Sequence, residues 1–166
     1  MDFEKAESRL LAALGPKGLV RDARQIAALS TPWRDTWVSR PLFAVMPAST
    51  QEVQAVVRIC CEENLPIVPQ GGNTGLTGGG LCRATGEDVL ISLRRMDRVR
   101  DIDPDDNILI AEAGCVLASV KDAAAAHDRF FPMTLGSQGS CTVGGNIATN
   151  AGGINALRYG TMRQLV

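Results

Sequence analysis

Apolar residues along the first two thirds of the chain switch between helical and strand spacing, and a breaker marks each switch. Phe3, Ala6, Leu10, Leu11 and Leu14 recur at helical spacing and stop at Gly15-Pro16, which predicts a short amphipathic N-terminal helix. Residues 21–29 predict a second short helix. Thr31-Pro32-Trp33-Arg34-Asp35-Thr36-Trp37 then breaks the pattern and reads as a linker with two packing tryptophans. The expected organisation is a helical extension over 1–39, packed as an adornment on a domain that starts near residue 40.

That domain opens with Leu42-Phe43-Ala44-Val45-Met46, an apolar run of strand length closed by Pro47. Ser49-Thr50-Gln51-Glu52 offers a capping box, and Val53, Val56, Val57 and Cys60 give one buried stripe on a helix running to about Asn64. Leu65-Pro66-Ile67-Val68-Pro69 follows as a short strand, so strand, helix and strand are expected to form a compact βαβ unit. Val89-Leu90-Ile91-Ser92 predicts a third strand. Val99 to Asp103 and Ile108 to Glu112 predict a hairpin around the solvated turn Pro104-Asp105-Asp106-Asn107. Leu117 to Ala126 reads as a helix, Phe130-Phe131-Pro132 ends a connection, and Arg163-Gln164-Leu165-Val166 reads as the start of a strand.

Two stretches fit neither spacing, because glycine dominates them. Residues 69–80 and 136–153 hold 12 of the 17 glycines. Glycine costs roughly 0.5–1 kcal/mol in regular structure, so such concentration makes sense where bare backbone approaches something closely. In the first run six of the ten residues from Gly71 to Gly80 lack a side chain, and successive N–H groups there can curl around an anion such as a pyrophosphate. The run leaves the carboxyl end of a predicted parallel strand, where α/β units bind ligands. It contains no lysine or arginine, and neither Gly-Lys-Ser/Thr nor G-x-G-x-x-G occurs, which argues against a triphosphate loop and an ordinary Rossmann site. The second run interleaves glycine with Ser137, Ser140, Thr142, Asn146, Thr149 and Asn150, small donors and acceptors suited to the edge of a heterocycle such as flavin.

Composition narrows the partners. The 166 residues suit about one domain, with 45% apolar and 21% charged residues. Seventeen basic residues against eighteen acidic ones speak against a nucleic-acid footprint. No apolar run is long enough for a transmembrane segment, and no secretory leader pattern opens the chain, so the expected location is the cytoplasm. Five cysteines, an odd number without CxxC spacing, suggest reduced thiols and no metal knuckle, and the single histidine, His127, is expected near an exposed helix end.

Residues 65–79, from Leu65-Pro66-Ile67-Val68-Pro69 through Gln70-Gly71-Gly72-Asn73-Thr74-Gly75-Leu76 to Thr77-Gly78-Gly79, closely resemble the pyrophosphate loop of FAD-linked oxidases of the vanillyl-alcohol oxidase type. Residues 139–153, Gly-Ser-Cys-Thr-Val-Gly-Gly-Asn-Ile-Ala-Thr-Asn-Ala-Gly-Gly, resemble their second flavin segment. The resemblance runs from about Arg40 to Val166 and is strongest to the branch of glycolate oxidase large subunits, D-lactate dehydrogenases and D-2-hydroxyglutarate dehydrogenases.

It implies an α+β fold, a PCMH-type FAD-binding domain of two small α/β subdomains with the second incomplete, and FAD extended between them. It places the pyrophosphate on Gln70, Gly71, Gly72, Asn73, Thr74, Gly75 and Leu76. The flavin side falls on Pro132, Gly136, Ser137, Gly144, Gly145, Asn146, Thr149, Asn150 and Gly153. Relatives with covalently attached flavin often present histidine in the corresponding Gly-Gly-His setting, so Asn73 implies non-covalent FAD. The implied parent reaction oxidises a D-2-hydroxy acid of the lactate, glycolate or 2-hydroxyglutarate kind to the 2-oxo acid. A non-catalytic flavin-binding module and another oxidoreductase on the same fold remain alternatives. Relatives continue into a cap domain that carries the catalytic and metal residues, so no residue here is assigned either role, and this piece alone is expected to be inactive.

Overall fold

The computed structural model describes residues 2–32 and 37–166. Met1 and the Trp33 to Thr36 part of the expected linker lie outside the described residues. The chain divides into two compact units, Met1–Arg95 and Met96–Val166.

The first unit is built on a four-stranded sheet, β1 (Leu19–Val20), β2 (Phe43–Val45), β3 (Ile67–Gln70) and β4 (Val89–Ser92), in the order β1-β2-β4-β3. The expected strand, helix and strand are present as β2, α3 (Thr50–Glu62) and β3. However, β4 lies between the two strands, parallel to both. Burial explains the order: all four residues of β4 are buried, as a central parallel strand requires, whereas Pro69 in β3 lacks an N–H and suits an edge. Ser49 caps α3, its hydroxyl accepting from Glu52 N at 3.2 Å, while the Glu52 carboxylate accepts from Ala48 N at 2.7 Å. The helix buries Val56, Ile59 and Cys60, a stripe rotated slightly from the expected one, with Val53 and Val57 half-buried.

Two helices precede β2, α1 (Phe3–Leu14) and α2 (Ala23–Ser30), each N-capped by an aspartate, Asp2 and Asp22. Ala6, Leu10 and Leu14 of α1 are buried in one cluster with Val45, Val56 and Val89. Lys5 and Arg9 reach Glu63, beside the end of α3, at 2.9 and 2.7 Å. At Gly18 a Cβ would stand 2.5 Å from Leu14 Cβ, so only a bare backbone can turn there into β1, which pairs antiparallel with β2.

The second unit begins with the expected hairpin, β5 (Val99–Asp103) and β6 (Ile108–Ala111). Its turn is held by Asp103 Oδ1, which accepts from the amides of Asp105 and Asp106, and by Asn107 at φ 55°. Helix α4 (Leu117–Ala125) buries Leu117 and Val120, and Leu117, Met133, Cys141 and Met162 form the core. The second glycine run contains a short helix, α5 (Val143–Ala148), and is followed by α6 (Ala156–Tyr159). The strand expected at Arg163 is instead part of a 3₁₀ turn, Met162–Gln164. Gln164 Oε1 accepts from Thr161 N at 2.8 Å, and this capping box outweighs the apolar pair Leu165 and Val166.

Candidate functional site

In the first unit, β3 and β4 end side by side at their carboxyl termini, where Gln70 and Ser92 are register partners. The glycine run leaves from this edge. Among the described residues, none of the amides from 71 to 80 donates to a backbone carbonyl. These residues are half-buried or exposed, so their amides are free to meet an outside acceptor in place of water. Two side-chain atoms at the same edge are in a similar state: Gln70 Oε1 and Ser92 Oγ are buried without a hydrogen-bond partner among the described residues. Ser92 escapes sequence reasoning, because a serine closing an apolar strand carries no motif.

The loop has a defined shape despite its glycines. Gln70 Nε2 crosses it to donate to Gly80 O at 2.9 Å. Asn73 adopts φ 55°, and its Nδ2 donates to Thr31 O at 2.8 Å and Leu29 O at 3.4 Å, beside the C-terminal end of α2. Gly78, at φ 81°, faces the Trp37 indole, 3.4 Å from where a Cβ would stand. Around Gly75 and Gly79, by contrast, the space a Cβ would occupy is open. Thr74 is half-buried, while Leu76 and Thr77 are exposed beside it.

The second glycine run, in the second unit, is built differently. Its amides are largely taken: Gly144 N donates to Ala113 O at 2.8 Å, Asn146 N to Thr142 O at 2.9 Å and Ala151 N to Asn146 O at 2.8 Å. A Cβ at Gly144 would stand 2.8 Å from Ala113 Cβ, and one at Gly153 only 2.4 Å from Thr134 O, so both glycines serve close backbone approach within the unit. Gly145 would place a Cβ 3.3 Å from Thr142 Oγ1, whereas Gly136 and Gly139 face open space. Thr149 Oγ1 donates back to Gly145 O at 2.9 Å, and Asn150 Oδ1 accepts from Thr161 Oγ1 at 2.9 Å and Arg163 N at 3.0 Å. Asn146 is buried, its Nδ2 3.6 Å from Cys141 Sγ. Ser137 O accepts from Ser140 N and Cys141 N, and Pro132 O accepts from Asn155 Nδ2. Thr142 Oγ1 is buried with no partner among the described residues.

Two polar groups here were not expected. Lys121 Nζ donates to Gln138 Oε1 at 3.0 Å and Thr134 Oγ1 at 3.2 Å, a cation set among small acceptors next to the run. Glu112 is fully buried between Arg98 and Arg100, whose guanidinium groups lie 3.1 and 3.0 Å away and hold its carboxyl down to about 2. In the first unit Arg83 binds Asp88 through its main-chain N and guanidinium and likewise depresses that carboxyl. Burial pushes the thiols of Cys60 and Cys82 up to about 11 and about 12, so neither is a poised nucleophile.

Residues 41–166 match the model of a family described as an FAD binding domain. The chain belongs to this family. It is 44% identical over 134 residues to a D-2-hydroxyglutarate dehydrogenase of Xanthomonas citri pv. viticola, an alignment covering 81% of this chain and 28% of that protein. It is 34% identical over 153 residues to the mitochondrial D-2-hydroxyglutarate dehydrogenase of Arabidopsis thaliana, covering 92% of this chain and 27% of the relative. The chain thus spans roughly a quarter of the length of these relatives. Among solved structures, an alkyldihydroxyacetonephosphate synthase superposes with a TM-score of 0.87 at 22% identity, over 97% of this chain and 32% of that one. A substrate-bound p-cresol methylhydroxylase gives 0.76, also at 22% identity, over 90% and 30%. These likenesses show the α/β fold of PCMH-type FAD-binding domains.

The family's cofactor is FAD, and the residues present fit it. A pyrophosphate needs several donors around a concave, uncrowded backbone. Among the described residues, the 71–80 loop provides amides without protein acceptors, open space at Gly75 and Gly79, and a buried unpartnered hydroxyl at Ser92.

Proposed function

We propose that this chain is the FAD-binding part of a flavin-dependent dehydrogenase that oxidises a D-2-hydroxy acid to the 2-oxo acid, with D-2-hydroxyglutarate the favoured substrate. The observation that carries the cofactor reading is the row of amides from 71 to 80 without backbone acceptors among the described residues. The relatives named D-2-hydroxyglutarate dehydrogenase carry the substrate reading. When bound, FAD supplies the hydride acceptor for oxidation of the C–OH bond. The protein's part is to hold it. Gln70, Gly71, Gly72, Thr74, Gly75 and Leu76 take the pyrophosphate, Asn73 through its main chain. Gly136, Ser137, Gly144, Gly145, Asn146, Thr149, Asn150 and Gly153, with Pro132, form the flavin side. The Asn73 side chain offers no ring nitrogen for a bond to flavin, so attachment is non-covalent. No catalytic or metal-ligating residue is assigned within these 166 residues.

The five free thiols favour a reducing compartment, and the cytoplasm is the proposed one, although the plant relatives are named mitochondrial. Among the described residues no helix is long and apolar enough to cross a membrane.

Titration of the purified protein with FAD, followed by quenching of flavin fluorescence, tests the cofactor reading, and acid precipitation tests attachment. Flavin released into the supernatant supports non-covalent binding, and flavin retained in the pellet refutes it. Anaerobic addition of D-2-hydroxyglutarate, D-lactate or glycolate to the FAD complex of the complete protein, not of this piece alone, then tests the substrate. Bleaching of the flavin's visible absorbance by D-2-hydroxyglutarate ahead of the other two is the expected result, and preference for another acid would correct the assignment.

A further inference from the structure

The glycine loop is shaped by residues that lie ahead of the family region. The match begins at residue 41, yet the loop and the segment just past it are tied back to residues 29–39. Asn73 Nδ2 donates to Thr31 O at 2.8 Å and Leu29 O at 3.4 Å. The Trp37 indole packs against the backbone of Gly78. Ser39 Oγ accepts from Cys82 N at 3.0 Å, just past the loop. A glycine-rich segment whose amides bond to no carbonyl among the described residues has little of its own to hold a shape, and it would otherwise sample many backbone conformations.

Building on the FAD reading, we propose that Asn73 is a positioning residue: it ties the middle of the loop to the last carbonyls of α2 and so aligns the 71–80 amides for a dinucleotide pyrophosphate before ligand arrives. Two properties of asparagine suit the place. It tolerates the left-handed backbone at φ 55°. Its amide group also presents two N–H donors, one for each carbonyl. The carbonyl of Thr31 follows the end of α2, where unpaired carbonyls accumulate and a donor is favourable. Preorganisation of this kind raises affinity by removing an ordering cost at the moment of binding.

The test uses the complete protein and two substitutions. Asn73→Gly removes the donor and keeps the backbone at ease, and Asn73→Asp keeps the shape and exchanges the donor for a carboxylate facing two carbonyls. Thermolysin cleavage at the exposed Leu76 is measured first, without ligand, against cleavage in the Met96–Val166 unit as the internal reference. Both variants are expected to be cut at Leu76 roughly tenfold faster with the reference unchanged, and to bind FAD roughly tenfold more weakly in a fluorescence titration. Unchanged Leu76 cleavage in the ligand-free Asn73→Asp variant overturns the proposal, even if its FAD affinity falls, because Asn73 would then act only as a ligand contact. Faster cleavage in Asn73→Gly alone also overturns it, since loss of the Cβ would then explain the loosening. The proteolysis result stands apart from the FAD reading: if the parent protein binds no FAD, faster cutting in both variants still shows the brace while the cofactor reading fails.

Discussion

Gln70 reaches across the neck of the glycine loop to Gly80, its Nε2 donating to the carbonyl at 2.9 Å, while its Oε1 is buried without a partner. One side chain therefore closes a ten-residue loop and leaves an acceptor at the edge where β3 and β4 end. Such a contact contributes about 1 kcal/mol net. Gln70→Met, similar in length and without the amide, should loosen the neck and weaken FAD binding by about fivefold to tenfold. Flavin fluorescence titration measures this, and an unchanged dissociation constant would remove Gln70 from the site.

Two glycines of the second run should respond differently to a methyl group. At Gly144 the added Cβ meets Ala113 Cβ and O at 2.8 and 2.9 Å, atoms that no rotamer change can move, so the overlap must be relieved by the backbone. Gly144→Ala should lower the stability of the second unit by about 1–3 kcal/mol. Gly139→Ala meets nothing within 4 Å and should stay within about 0.5 kcal/mol of the parent. Urea denaturation midpoints for the two variants decide it, and equal midpoints would mean that α5 does not pack closely on residue 113.

Leu10 is fully buried, in the same cluster as Val45 of β2 and Val89 of β4. Leu10→Ala should therefore cost about 2–5 kcal/mol, the range for a truncated core leucine, read as a fall in the urea midpoint. A cost below about 1 kcal/mol would instead describe a helix resting on the surface.

What the sequence could and could not tell follows from the range of each interaction. Helix α3 was legible because its cap, Ser49 with Glu52, and its apolar stripe are local. The β5–β6 hairpin was legible because a turn rich in Asp and Asn separates two apolar runs. Strand β1 was not, since two residues have no periodicity and become a strand only by pairing with Val45 and Ala44. Helix α5 was hidden by Gly144 and Gly145, poor helix formers, of which Gly144 is retained by tertiary packing against Ala113. The first glycine run was legible as an irregular loop by composition alone. The partners of Asn73, 42 and 44 residues away, are backbone carbonyls, which no motif can encode.

Acid should act on the second unit through Glu112. Its carboxyl is buried and receives hydrogen bonds from Arg98 N and from the guanidinium groups of Arg98 and Arg100, which lower it from the ordinary 4.5 to about 2. A carboxyl depressed in the folded state adds stability that is fully present above the unfolded value and fades as pH falls through the folded one. The contribution should therefore hold at neutral pH and be lost progressively between about 4.5 and about 2. Both arginines are half-exposed or more and remain charged throughout, so protonation leaves their positive charges facing a neutral buried group. Glu112→Gln should be less stable than the parent at pH 7 and lose less on acidification to about pH 3, because the titrating group is gone. Asp88 and Glu63, also depressed, remain in the first unit, so the variant keeps part of its acid sensitivity. Urea midpoints of both proteins across this pH range make the comparison, and parallel pH profiles would show that Glu112 is not the titrating group.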